Sequence, residues 1–161
     1  MPVTPFHLGP GVFFGTIFFK FFNFFAFLLG NVILDIEPLM IIILGIGYPY
    51  HRFFHTFLGG LIGAFVATFL ILIFKNILQK ISLRINLKQS FSFFKVFIGS
   101  LLGCWTHVLF DSFIHRDVFP FWPSHFNPLL GLISIFQDYA LCVVLGIIGI
   151  ILIVRKIHPV K

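Results

Sequence analysis

Apolar residues in this chain come in long unbroken runs, not in the alternating or one-faced patterns of a water-soluble fold. Five runs stand out, at 11–19, 24–44, 53–74, 93–114 and 132–154. A helix needs about 20 predominantly apolar residues to cross the hydrocarbon core of a bilayer. The last four runs meet that length, whereas 11–19 either dips into the membrane or crosses it obliquely. The pattern predicts an all-α integral membrane protein, a bundle of four to five transmembrane helices with a short first helix that is re-entrant or oblique. It forms one membrane-embedded domain over residues 1–161. In the linker before the fourth run, Ile81, Leu83, Ile85 and Leu87 alternate with Ser82, Arg84, Asn86 and Lys88. That period of two fits a short strand or a stretch lying on the membrane surface, and a basic interfacial anchor is the favoured role.

Composition agrees with the runs. The chain is 59% hydrophobic and 10% charged, with 26 phenylalanines and a mean hydropathy of +1.08; a soluble domain carries about 25% charged residues. The net charge of +6 would suggest nucleic acid in a soluble protein. Here the basic residues lie between apolar runs, where they orient the chain, and no basic–aromatic alternation points to nucleic acid as a partner. Cys104 and Cys142 lie inside apolar runs and form no disulfide or metal motif. The opening MPVTPFHLGPG lacks the basic region of a secretory signal, so His7 is expected in the mature chain.

Lys20, Lys75, Lys80, Arg84, Lys88, Lys95, Arg155, Lys156 and Lys161 fall on one side of the predicted bundle, leaving only Arg52 and Arg116 on the other. The excess marks the cytoplasmic side. The expectation is a multi-pass protein of the inner cell membrane with its N-terminus outside and its C-terminus in the cytoplasm.

Placed on that topology, the acidic residues Asp35, Glu37, Asp111, Asp117 and Asp138 all gather in the outer half, with His7, His51, His55, His107, His115 and His125. An Asp near the bilayer centre costs on the order of 2.5–3.5 kcal/mol, so it needs a partner or a function. Two arginines cannot neutralise five carboxylates. A bound divalent cation with imidazole co-ligands can, which predicts a metal site on the extracytoplasmic side. His107, Asp111 and His115 recur every fourth residue, as one helical stripe, and His51 and His55 share that spacing and can share an ion. Asp35 and Glu37 would diverge on a regular helix, but Pro38 favours a break that aims both inward. His125 has equal claims as a loop residue and as a ligand, and Asp138 is expected to satisfy a neighbouring helix more than to ligate.

The segments MPVTPFHLGPG, NVILDIEP, HRFFHT and GSLLGCWTHVLFDSFIHRDVFPFWP resemble, in order and over nearly the whole chain, the YdjM-like (LexA-binding, inner-membrane-associated) predicted metal-dependent hydrolases. The resemblance implies a hydrolase and a metal set of His7, Asp35, His55, His107 and Asp111. A more distant similarity, in site chemistry alone, is to zinc-dependent phospholipase C.

The expected function is hydrolysis of a membrane lipid or lipid-linked ester, most plausibly a phosphoester, at the outer leaflet. One or two divalent ions would be held by the resemblance set with His51 and His115; Zn²⁺ suits these donors best, with Mn²⁺ or Fe²⁺ as alternatives. Glu37 or Asp117 would act as general base, and Arg52 and Arg116 would clamp the phosphate. The alternatives are a non-catalytic scaffold with a structural metal, a divalent-cation or proton transporter, and, less favoured, a Ser112-based hydrolase.

Overall fold

A computed structural model describes residues 4–158; Lys161 and the first three residues of the opening motif lie outside them. After a 3-10 turn at Thr4–His7 come α1 (Leu8–Ile17), α2 (Phe24–Ile33) and α3 (Ile36–Ile43). A second 3-10 turn, Phe53–His55, leads into α4 (Phe57–Ile73), α5 (Lys75–Arg84), α6 (Phe93–Ile114) and α7 (Ile135–Ile157). No strand occurs among the described residues. Three stretches are long and apolar enough to cross a membrane: Phe24–Ile43, Phe93–Ile114 and Ile135–Ile157. The pair Phe57–Ile73 and Lys75–Arg84, bent by 72°, makes a fourth if counted as one span. At 10 residues, α1 is about 15 Å long, half the thickness of a hydrocarbon core.

The helices touch through small residues. A Cβ on Gly30 would meet the Ser100 carbonyl oxygen at 2.5 Å and the Cys104 nitrogen at 2.9 Å, so α2 lies backbone to backbone on α6. Ala64, Ala67, Cys104 and Val108, all fully buried, close the contact between α4 and α6 beneath Ile33 and Leu34. Gly9 lies against the Cys142 carbonyl and Gly149 against Phe13, which seats α1 on α7. Within a membrane, packing of this kind holds helices together where no hydrophobic drive separates protein from lipid.

Two features differ from expectation. Residues 81–88 form no strand. The helix α5 runs to Arg84 and ends with Asn86 at φ 54°, where the Leu87 amide donates to the Ser82 carbonyl at 2.8 Å and the Asn86 amide to Leu83 at 3.1 Å. That left-handed cap buries Leu87 and leaves Ile81 and Leu83 exposed; the alternation was coincidental. Second, His115 is not on the α6 stripe. The helix stops at Ile114 and His115 is extended, at φ −100° and ψ 121°.

The bundle's two ends differ chemically. At one end Lys95 Nζ donates to the Lys20 carbonyl at 2.8 Å, and Lys156 stands over the Phe19 ring. Asp111 sits sixteen residues further along α6, about 24 Å away, where Asp35, Glu37 and Asp117 collect with His7, His51, His55, His107 and His115.

Candidate metal centre

Each element delivers its polar residues to one end. The chain breaks at Leu34 and Asp35, between α2 and α3; Glu37, where Pro38 was expected to impose the break, is helical, and Pro38 sits in the first turn of α3, where its missing N–H is tolerated. The break turns Asp35 toward α6 and Glu37 toward the segment before α4. Thr56, whose hydroxyl accepts from the Gly59 amide at 2.8 Å, starts α4 and leaves His51 and His55 in the irregular approach to it. The loop after α6 is tied back by the Phe57 amide on the Pro120 carbonyl at 2.9 Å. Asn127 Nδ2 adds bonds to the Ser112 and Val118 carbonyls.

Asp35, His55, His107 and Asp111 form a group that could hold a metal ion. His55 and His107 are fully buried and Asp111 is 1% exposed. His107 Nε2 lies 3.2 Å from His55 Nε2, 3.1 Å from Asp111 Oδ2 and 3.6 Å from Asp35 Oδ1; His55 Nε2 lies 3.6 Å from Asp111 Oδ2. Zinc–ligand bonds of about 2.0–2.1 Å in a tetrahedron give edges near 3.3 Å; these four spacings fall around that edge, and the remaining pairs lie within 4.8 Å.

The tautomers sharpen the fit. His107 Nδ1 faces the Asn31 carbonyl at 2.8 Å, and His55 Nδ1 faces Glu37 Oε2 at 2.9 Å. A carbonyl and an ionised carboxylate only accept, so both Nδ1 atoms carry a proton, and with both rings neutral the two Nε2 atoms would turn lone pairs toward each other. A shared cation resolves that repulsion, and the two outer hydrogen bonds fix the rings as metal-ligating imidazoles require.

A second group comprises His51, His115 and Asp117. Asp117 Oδ2 accepts from the Tyr50 and His51 amides at 3.0 Å each, while Oδ1 lies 3.0 Å from His51 Nδ1. The His51 and His115 rings lie 4.3 Å apart, and His115 Nε2 is 3.8 Å from Asp111 Oδ1. Thus His51 and His55, expected to share an ion, fall in different groups. Their spacing by four had meaning only on a helix, and they precede one.

His7 Nε2 approaches Asp111 Oδ1 at 3.1 Å, and its ring lies 4.1 Å from that of His107, tilted by 33°. Asp138, 1% exposed in the first turn of α7, acts electrostatically on His7 and Asp111, and its Oδ1 has no hydrogen-bond partner. It stands closer to the centre than its sequence context suggested. His125 stays apart, its ring against Phe119.

The expected bases are otherwise engaged. Glu37 accepts from the Arg52 amide at 2.9 Å and the Phe54 amide at 3.3 Å as well as from His55, and Asp117 takes three contacts in the same way. Glu37 is thereby held against the His55 ring, and Asp117 is anchored through Oδ2 with Oδ1 beside His51. Arg52 is exposed, with Nε donating to the Pro49 carbonyl at 3.1 Å; Arg116 is exposed beside Asp117. Among the described residues, every ion contact pairs a histidine with a carboxylate, and neither arginine enters one. Ser112 donates its hydroxyl back to the Val108 carbonyl at 2.6 Å, away from the histidines.

Burial sets the protonation of the loop groups. It pushes His55 below its ordinary value, against the opposing Glu37 hydrogen bond. It pushes His115 to about 4, although the Asp111 charge works the other way. For Asp117, burial raises the carboxyl, but the His51 amide and ring outweigh it and hold it below the usual carboxylate range. Neutral imidazoles and ionised carboxylates are the forms that bind a metal.

Asn31 was not foreseen, because it acts through its main-chain carbonyl, which leaves no mark in side-chain chemistry. The glycines Gly30 and Gly103, which bring that carbonyl to His107, were the available signal.

A groove of ≈ 450 Å³ between α3 and α4 is lined by Leu34, Met40, Val66 and Leu70 together with Glu37 and Arg52, and so reaches the first group through Glu37. Comparison with protein-family models, characterised proteins and solved structures finds no match to the chain.

Proposed function

We propose that this protein is a membrane-embedded, metal-dependent hydrolase acting on a lipid or lipid-linked phosphoester at the extracytoplasmic side. The observation that carries the reading is the junction of three features. Four candidate ligands meet within 4.8 Å of one another, Glu37 bonds both His55 and the Arg52 amide, and Glu37 and Arg52 both line an apolar groove.

Asp35, His55, His107 and Asp111 would hold the ion, with Asn31 and Glu37 fixing the two rings. A divalent ion there supplies Lewis acidity toward a phosphoryl oxygen and activates water near neutral pH; the nitrogen–oxygen donor set suits Zn²⁺. Arg52, free of carboxylate pairing among the described residues, offers a guanidinium to the phosphate. The groove accepts an apolar chain. The segregation of Lys20, Lys95 and Lys156 to the far end supports an extracytoplasmic centre by the positive-inside rule. The YdjM-like resemblance points to the same chemistry.

A second reading has its own support: four protein ligands suffice to close a tetrahedral shell, as in structural zinc sites. Elemental analysis of purified protein, with release of phosphorylated head group measured across lipid classes, separates the two. Hydrolysis predicts stoichiometric metal and product, with product lost and metal content lowered in His107→Ala and Asp111→Ala. Metal content unchanged by either substitution would overturn the site. Metal without product from any lipid class would favour the closed structural role.

A further inference from the structure

We infer that the centre is dinuclear, with Asp111 bridging a second divalent ion held by His51, His115 and Asp117. The inference rests on the first group holding an ion, and it concerns a different set of ligands.

The two oxygens of Asp111 face different neighbours. Oδ2 lies toward His107 and His55, at 3.1 and 3.6 Å. Oδ1 lies toward His7 and His115, at 3.1 and 3.8 Å. Neither oxygen has an aligned hydrogen-bond donor, nor has His7 Nε2 or His115 Nε2, although Asp111 is 1% exposed. A buried carboxylate left so is costly unless cations occupy the gaps. One ion on the Oδ2 side leaves the Oδ1 side unanswered. On that side the loop pieces before α4 and after α6 converge on a second group of three candidate ligands. The backbone amides of Tyr50 and His51 anchor Asp117 Oδ2, which turns Oδ1 inward toward His51.

Charge counting agrees. Asp35, Glu37, Asp111, Asp117 and Asp138 bring five negative charges to this end, and no lysine or arginine pairs with any of them among the described residues.

The test is metal titration without substrate. Metal-stripped full-length protein in detergent is titrated with Co²⁺, read by visible absorption and elemental analysis, then loaded with Mn²⁺ for electron paramagnetic resonance. Wild type is expected to bind two equivalents and to give the spectrum of an exchange-coupled pair. His115→Ala should bind one and give an uncoupled six-line signal. His55→Ala reports the converse loss, and elution as a monodisperse peak shows that each variant has folded. Binding of one ion by the wild type overturns the second centre alone, whereas no binding at all removes the metal reading too. Two uncoupled ions, or two still bound in both His115→Ala and His51→Ala, would also refute the bridge.

Discussion

Glu37 and His55 are joined Oε2 to Nδ1 at 2.9 Å, and the same carboxylate oxygen accepts the Arg52 amide. The pair fixes which face of the His55 ring is free to ligate. Replacing Glu37 with Gln keeps the shape but puts an amide N–H where a donor already points. Losing such an outer-shell partner costs about 10–100-fold in metal affinity. The expected outcome for Glu37→Gln is weaker metal binding, with turnover restored by saturating metal. A turnover collapse at full metal occupancy would instead make Glu37 the base that the sequence suggested.

The membrane helices were legible because burial in lipid demands unbroken apolar runs, and runs survive any local detail. The break between α2 and α3 was legible only in its neighbourhood: Pro38 pointed to Glu37, but the turn falls at Leu34 and Asp35 and leaves Glu37 and Pro38 in the first turn of α3, where a proline is tolerated. The site's finer partition was not legible. Spacing by four assigns a shared face only to residues on one helix. His115 lies past the end of α6, and His51 and His55 lie before α4, so the loops sort these side chains into two groups. Nor does a sequence reveal that a main-chain carbonyl, from Asn31, orients His107.

His115 makes the metal-free protein sensitive to acid. Burial depresses its folded pKa to about 4 from the ordinary 6.5, so below pH 6.5 the unfolded chain binds the proton first. Its contribution to stability is present above that pH and is lost as pH falls toward 4. Thermal melts of stripped protein should fall in this window, and less steeply in His115→Gln. Parallel curves for the two proteins would show that His115 is not buried neutral.

Gly30 controls the centre from outside it. Any side chain there strikes the Ser100 carbonyl and the Cys104 amide, which are main chain and cannot rotate away. Overpacking of this kind costs about 1–3 kcal/mol. Separating α2 from α6 also draws the Asn31 carbonyl off His107. Gly30→Val should therefore lower both melting temperature and metal content although no ligand has changed. Loss of stability with metal affinity unaltered would break the proposed link between helix contact and ring orientation.

The groove between α3 and α4 makes a prediction about substrates that metal binding does not share. Val66 lines it and is 47% exposed, so Val66→Trp can fill the groove without crowding the buried core. Excluding only two methylenes of a bound chain costs about 1.6 kcal/mol, or roughly 15-fold in kcat/KM. The variant should keep its metal and its activity on short-chain or water-soluble phosphoesters while losing long-chain substrates. Rates measured across a chain-length series decide it: a uniform fall, or none, would place the apolar chain elsewhere.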